Sequence, residues 1–171
     1  MTEEKAGDAL CGEKDMCPQE RFMRQAIKLA RQSVEQGGGP FGAVIVKEGK
    51  VVATGHNQVV PSCDPTAHAE VSAIRAAAAA LGTFDLSGCE IYTSCEPCPM
   101  CLGAIYWARI GRMYYGCDQQ DAARIGFDDS FIYREMALDP VRRRLVSCRM
   151  LADEAREAFR AWEAKPDKTE Y

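Results

Sequence analysis

Glu90-Ile91-Tyr92-Thr93-Ser94-Cys95-Glu96-Pro97-Cys98-Pro99-Met100-Cys101 is the stretch on which the fold turns. Its first half, residues 90–94, reads as a short apolar strand. Its second half opens a helix, and the three-residue spacing puts Cys98 and Cys101 on one face of the first turn. Free backbone N–H groups and the helix dipole concentrate positive potential there, which favours thiolate. A CxxC between strand and helix suits a dithiol redox couple as well as a metal. Upstream, His68-Ala69-Glu70 stands at the start of a second expected helix, so an imidazole, two thiolates and a carboxylate can meet between two helix N-termini. A His/Cys/Cys set leaves a tetrahedral zinc one open position.

The rest of the chain is consistent with one domain built around that meeting point. Its 171 residues, 47% of them hydrophobic, suffice for a sizeable core. A net charge of −4 supplies no general attraction for nucleic acid, and Arg142-Arg143-Arg144 reads as solvated charge on a strand edge. No apolar run is long enough for a membrane helix. Nine cysteines, an odd number with no signal peptide before them, point to a reducing cytoplasm.

Residues 1–17 show no sustained period and read as a loose extension, with Cys11 and Cys17 as spare thiols. From Pro18, Met23, Ile27, Ala30 and Val34 recur at helical spacing until Gly37-Gly38-Gly39-Pro40. Residues 41–46 and 51–55 form a hairpin, with Asn57 directly after it. Asp64 is expected to cap the His68 helix, with Pro65 at its first position and Gly82 at its end. Residues 99–108 form the next helix and 112–116 a fourth strand. Residues 117–136 are less regular, 141–150 supply a fifth strand, and 152–165 a last helix before Pro166. The expected architecture is α/β, a three-layer α/β/α arrangement around a mixed five-stranded sheet. Ligands gather at element ends in such sheets, which agrees with where the cysteines and histidine fall.

His-x-Glu followed by Pro-Cys-x-x-Cys is the zinc-deaminase signature. The fuller runs Pro65-Thr66-Ala67-His68-Ala69-Glu70 and Ser94 through Trp107 resemble the bacterial guanine deaminases of the cytidine deaminase superfamily. The likeness extends from about Gly39 to Tyr171, including 126–133 and the final Glu170-Tyr171. The zinc motif is common to the superfamily; the flanking segments point to the branch. The resemblance implies a cytidine-deaminase-like fold, one Zn2+ per chain held by His68, Cys98 and Cys101, and a purine base as substrate. Water activated at the metal would add to C2 of guanine, Glu70 would protonate ring N3, and loss of ammonia would leave xanthine.

A pocket for guanine must read its remaining atoms. Asn57 can donate to O6 or N7, Asp129 can accept from N1 or the amino group, and Phe41 and Trp107 can sandwich the ring. In the resembled enzymes the C-terminal segment closes over the site, in some cases from the partner subunit. Residues 166–171 are therefore expected to form a lid that brings Tyr171 to the substrate, in a homodimer with exchanged C-terminal segments. The tRNA adenosine deaminases carry the same zinc signature, but the acidic balance speaks against that branch. Guanosine, cytosine and aminotriazine deamination stay open, because the sequence does not reveal pocket size. A structural zinc site would need a fourth protein ligand, and a redox protein would need neither His68 nor Glu70.

Overall fold

A computed structural model describes residues 18–170; the 1–17 extension with Cys11 and Cys17, and Tyr171, lie outside the described residues. Strands β1 (Gly42–Lys47) and β2 (Lys50–His56) form the expected antiparallel hairpin, and β3 (Cys89–Cys95) pairs antiparallel with the other side of β1. Strand β4 (Arg112–Cys117) adds parallel to β3, which requires a crossover, and helix α4 (Pro99–Trp107) provides it. The sheet is mixed and runs β2-β1-β3-β4.

The two-residue alternation of the central strands decides what covers each face. Ala43, Ile45 and Ile91 pack with Ala69, Ala73 and Ala77 of α3 (Ala69–Leu81) and with Ile105 of α4. Val44, Val46 and Tyr92 point the opposite way, against Phe22 and Ala26 of α1 (Pro18–Glu35). Tyr92, fully buried, stacks on Tyr114 at 4.6 Å and satisfies its hydroxyl by donating to Glu90 at 2.8 Å. Two glycines set how close the helices come. A Cβ on Gly42 would meet the Ala26 carbonyl of α1 at 2.3 Å, and one on Gly55 would meet the Ala69 carbonyl of α3 at 2.2 Å.

The remaining elements are α2 (Val59–Ser62), α5 (Gln119–Arg124), α6 (Ser130–Met136), a 3-10 turn at Pro140–Arg142 and α7 (Ala152–Ala164). No helix of the described residues is long and apolar enough to cross a membrane.

Four expectations need correction. The sheet has four strands, not five: after the 3-10 turn, residues 143–150 form no regular element, and Val141, Leu145 and Val146 are 94%, 79% and 91% exposed. The segment pairs with neither edge strand of the sheet, and the Arg143 guanidinium instead donates to the carbonyls of Leu138 and Met136. Helix α1 buries Ala30 of the expected stripe, but Phe22, Ala26 and Ser33 take the inward places expected for Met23, Ile27 and Val34, and Ile27 and Val34 are left exposed. The His68 helix begins at Ala69 rather than Pro65, because the Asp64 carboxylate is spent on a local turn, accepting from the Thr66 amide at 2.8 Å and hydroxyl at 2.7 Å. Cys89 and Cys95 are buried as expected of small apolar residues, whereas Cys63, Cys117 and Cys148 are exposed.

Candidate active site

His68 and Cys98 hold the same position in two different helices. Each is the N-cap residue with extended backbone (φ −69°, ψ 158° and φ −64°, ψ 168°). Each carbonyl accepts the first helical bond, from Ser72 at 2.9 Å and from Leu102 at 2.8 Å, and neither side chain caps its helix. An N-cap normally spends its side chain on the orphan amides of the first turn; here both side chains turn toward each other. His68 Nδ1 lies 3.6 Å from Cys98 Sγ and 3.5 Å from Cys101 Sγ. All three donor atoms fall within 4.8 Å of one another, the one such group among the described residues. One imidazole nitrogen and two sulfurs, fixed between two helix N-termini, are placed to bind a metal ion, and the donor set fits zinc.

The electrostatics agree with that use. The Cys98 thiol is pulled down to about 4, chiefly by the hydrogen bond from Cys101 and, against the cost of burial, by His68. Cys101 moves up for the complementary reason: its one proton lies between two acceptors, Cys98 first and Glu70 second, and it is buried. Two adjacent sulfurs cannot both ionise unaided, whereas a bound cation reverses that preference. His68 is raised by its bond to Cys98, opposed by burial.

Glu70, 5% exposed, is the second residue of α3 and points past the triad, its Oε2 accepting from Cys101 at 3.3 Å. Burial pushes its carboxyl pKa up. With His68 two residues before it outside the helix proper, both side chains reach the same sulfur, His68 Nδ1 at 3.5 Å and Glu70 Oε2 at 3.3 Å from Cys101 Sγ, without sharing a helical face. The cleft above them has a volume of ≈ 240 Å³, with Phe41 on one side and Phe127, Asp129 and Ile132 on the other. Phe127 meets the Phe41 ring edge-on at 4.9 Å.

The candidate substrate residues separate. Phe41 and Asp129 line the cleft. Asp129 precedes α6, its side chain makes no capping bond, and burial raises its pKa, with Cys98 next in effect. Asn57 is not among the residues that line the cleft; it is buried just after β2, and its Oδ1 accepts from the amides of Gly39 and Val59, each at 3.2 Å. Those bonds fix the flip of the amide and leave Nδ2 as the end that can donate. Trp107 does not join Phe41 across the cleft. It lies six residues beyond the buried Cys101, about 240° around the helix, and is 69% exposed beside Tyr106, Gly103 and Arg109. Tyr171 lies outside the described residues. Sequence reading missed Cys95, Glu96 and Gln119, which also line the cleft. Gln119 carried a signal: Asp118 and Asp121 form a reciprocal capping box that starts α5 at that residue.

Residues 16–117 match the cytidine and deoxycytidylate deaminase zinc-binding region. The chain belongs to this deaminase family. Its α/β fold is that of the family, with the four strands described above. It is 51% identical over 153 residues to a guanine deaminase of Bacillus subtilis, covering 89% of this chain and 98% of that one, and the crystal structure of a guanine deaminase from that organism superposes with a TM-score of 0.86. A guanine deaminase structure from Nitrosomonas europaea superposes with a TM-score of 0.62 at 38% identity, covering 64% of each chain. A tRNA-specific adenosine deaminase of Aquifex aeolicus is 44% identical over 96 residues, covering 56% of this chain and 64% of its own. The first likeness runs on past residue 117, through the α5 and α6 segment that walls the cleft, where the deaminase signature no longer reaches.

Proposed function

We propose that this chain hydrolyses guanine to xanthine and ammonia, with one zinc per chain on His68, Cys98 and Cys101. What carries the reading is the buried carboxylate of Glu70 beside three metal donors, lining a cleft of ≈ 240 Å³ that has room for a planar heterocycle. Zinc, when bound, supplies a Lewis acid that lowers the pKa of water at the site. Glu70 takes a proton from the water that adds to C2 and hands it to ring N3, where it stays in the product. It then takes a second proton from the new C2 hydroxyl and delivers it to the departing amine, which leaves as ammonia. The raised pKa of Glu70 suits a group that must alternate between base and acid near neutrality.

Asp129 accepts from N1–H or the amino group, Asn57 Nδ2 donates to O6 or N7, and Phe41 lies against the ring. Trp107, outside its own cleft, would reach a purine only when delivered by a partner subunit. A homodimer with exchanged C-terminal segments is supported by the arm after α6, where Val141, Leu145, Val146 and Phe159 expose 94%, 79%, 91% and 71% of their surface. Tyr171 would then close a site as part of a lid.

Ammonia release by zinc-loaded protein is to be measured with guanine, guanosine, adenine, cytosine and a tRNA anticodon stem. Turnover of guanine alone is expected; no release from guanine would overturn the proposal. Light scattering at rising concentration tests the dimer, and a monomer at all concentrations would remove it.

A further inference from the structure

The cleft has one well-packed wall and one lightly held wall. On the sheet side stand residues anchored in the core; on the other side stand α5 and α6, neither of which buries a residue. Asp129 immediately precedes α6, so its reach into the cleft is set by whatever holds that short helix in place. Tyr133 does this at one point. It is four residues after Asp129, on the same side of the turn, and the Tyr133 amide donates to the Asp129 carbonyl at 3.4 Å. Its hydroxyl donates to the Pro97 carbonyl at 3.4 Å, and the cleft-lining Gln119 side chain acts on it as a donor would, favouring its ionised form. Pro97 is fully buried and directly precedes the zinc ligand Cys98, so the bond joins the loose wall to the turn that delivers a ligand. Phe127 against Phe41 is a second tie, but it is apolar and lies on the far side of Asp129.

We propose that Tyr133 is a positioning residue, whose hydroxyl, bonded to the Pro97 carbonyl, fixes α6 against the zinc-binding turn and thereby sets where Asp129 meets the substrate. The proposal rests on the substrate-reading role given to Asp129 above. Loss of the hydroxyl leaves the ring, Asp129 and the three metal donors in place, but lets the carboxylate wander. A misplacement of about 1 Å at a substrate contact can cost up to about 10²-fold.

The test is a double-mutant cycle on zinc-loaded protein with Tyr133→Phe, Asp129→Asn and the two combined, reading kcat and KM for guanine and the Kd of xanthine by calorimetry. Tyr133→Phe is expected to raise KM and the xanthine Kd about fivefold, with kcat within about twofold and metal content unchanged. Asp129→Asn is expected to lower kcat/KM about 10- to 100-fold, and Tyr133→Phe to add nothing in that background. An unchanged Kd and KM in Tyr133→Phe, or losses that multiply in the combined variant, would overturn the positioning role. Wild-type kinetics in Asp129→Asn would overturn the reading beneath it, a result distinct from either. Should Tyr133→Phe lose metal or fold, Gln119→Met decides, since it removes one partner of the hydroxyl and leaves the ring seated. A smaller rise in KM, about twofold, that vanishes beside Asp129→Asn supports the proposal, and no change overturns it.

Discussion

Between β1 and the end of β4 the chain buries Val44, Ile45, Ile91 and Tyr92 completely, whereas α5, α6 and α7 contain no buried residue at all. The division runs through the candidate site. His68, Glu70, Cys98 and Cys101 all stand on helices packed against the sheet; Asp129 and Ile132 come from the lightly held segment after it. Metal ligation tolerates errors of only about 0.2 Å in ligand distance, so its donors belong on a rigid frame. Recognition of a planar base needs a wall that can open and close, and such walls are drawn from the less stable parts of a structure.

The largest expected effect breaks the frame's chemistry without breaking the frame. Glu70→Gln is nearly isosteric and should keep metal and fold while turnover falls about 10³-fold, the size of a lost acid–base catalyst. A rate near wild type would show that proton transfer lies elsewhere. Breaking the frame itself comes next. Ile91→Ala, at a site with no exposure in the central strand, should cost about 2–5 kcal/mol in urea unfolding; a smaller loss would mean that the core collapses around the cavity.

Acid should work on the metal donors in a defined direction. Cys98 is already thiolate above about pH 4, so metal binding at neutral pH must displace chiefly the Cys101 proton. Zinc affinity, measured against a competing chelator, should rise about tenfold per pH unit and more steeply on the acid side, where His68 must also lose a proton. Affinity independent of pH from 6 to 8, roughly the range over which histidine titrates, would contradict the proton sharing. After α7, removal of residues 166–171 should lower kcat/KM for guanine about tenfold, about 1.4 kcal/mol, with metal content and unfolding midpoint unchanged. Equal kcat/KM in the truncated protein would leave the tail without a part in turnover. Smallest of all, Val146→Ala should shift the stability of the isolated chain by less than about 0.5 kcal/mol. A larger, concentration-dependent loss would place this arm inside an interface between copies.

The same division governs how much could be read from sequence. In the packed half, alternation and helix spacing report burial directly, so β1 to β4 and α4 fall where the pattern places them and His68, Cys98 and Cys101 converge. The errors there are local competitions: Asp64 bonds Thr66 rather than capping a helix, and α1 turns its Phe22 face inward to meet Tyr92 at 5.2 Å. After β4, hydrophobic pattern stops predicting burial: β4 ends the sheet, yet residues 141–150 do not pair with it, and an apolar pattern that makes no cross-strand pairs is not a strand. Trp107 misled for a related reason. Its sequence neighbourhood is the metal turn, but the helix carries it round to the outside. Tyr133 could not have been singled out at all, since its meaning lies in a carbonyl that only the fold brings near.

Gly55 gives the metal site its ruler. At this strand position the clearance beneath α3 is set by main chain against main chain: a side chain would meet the Ala69 carbonyl at 2.2 Å and the Ala73 nitrogen at 2.6 Å. No rotamer can relieve a clash between two backbones, and no neighbouring substitution can absorb it. A single added methyl would therefore push apart β2 and the helix that begins beside His68 and carries Glu70. The seat of that helix on the sheet is in effect calibrated by an atom that is not there.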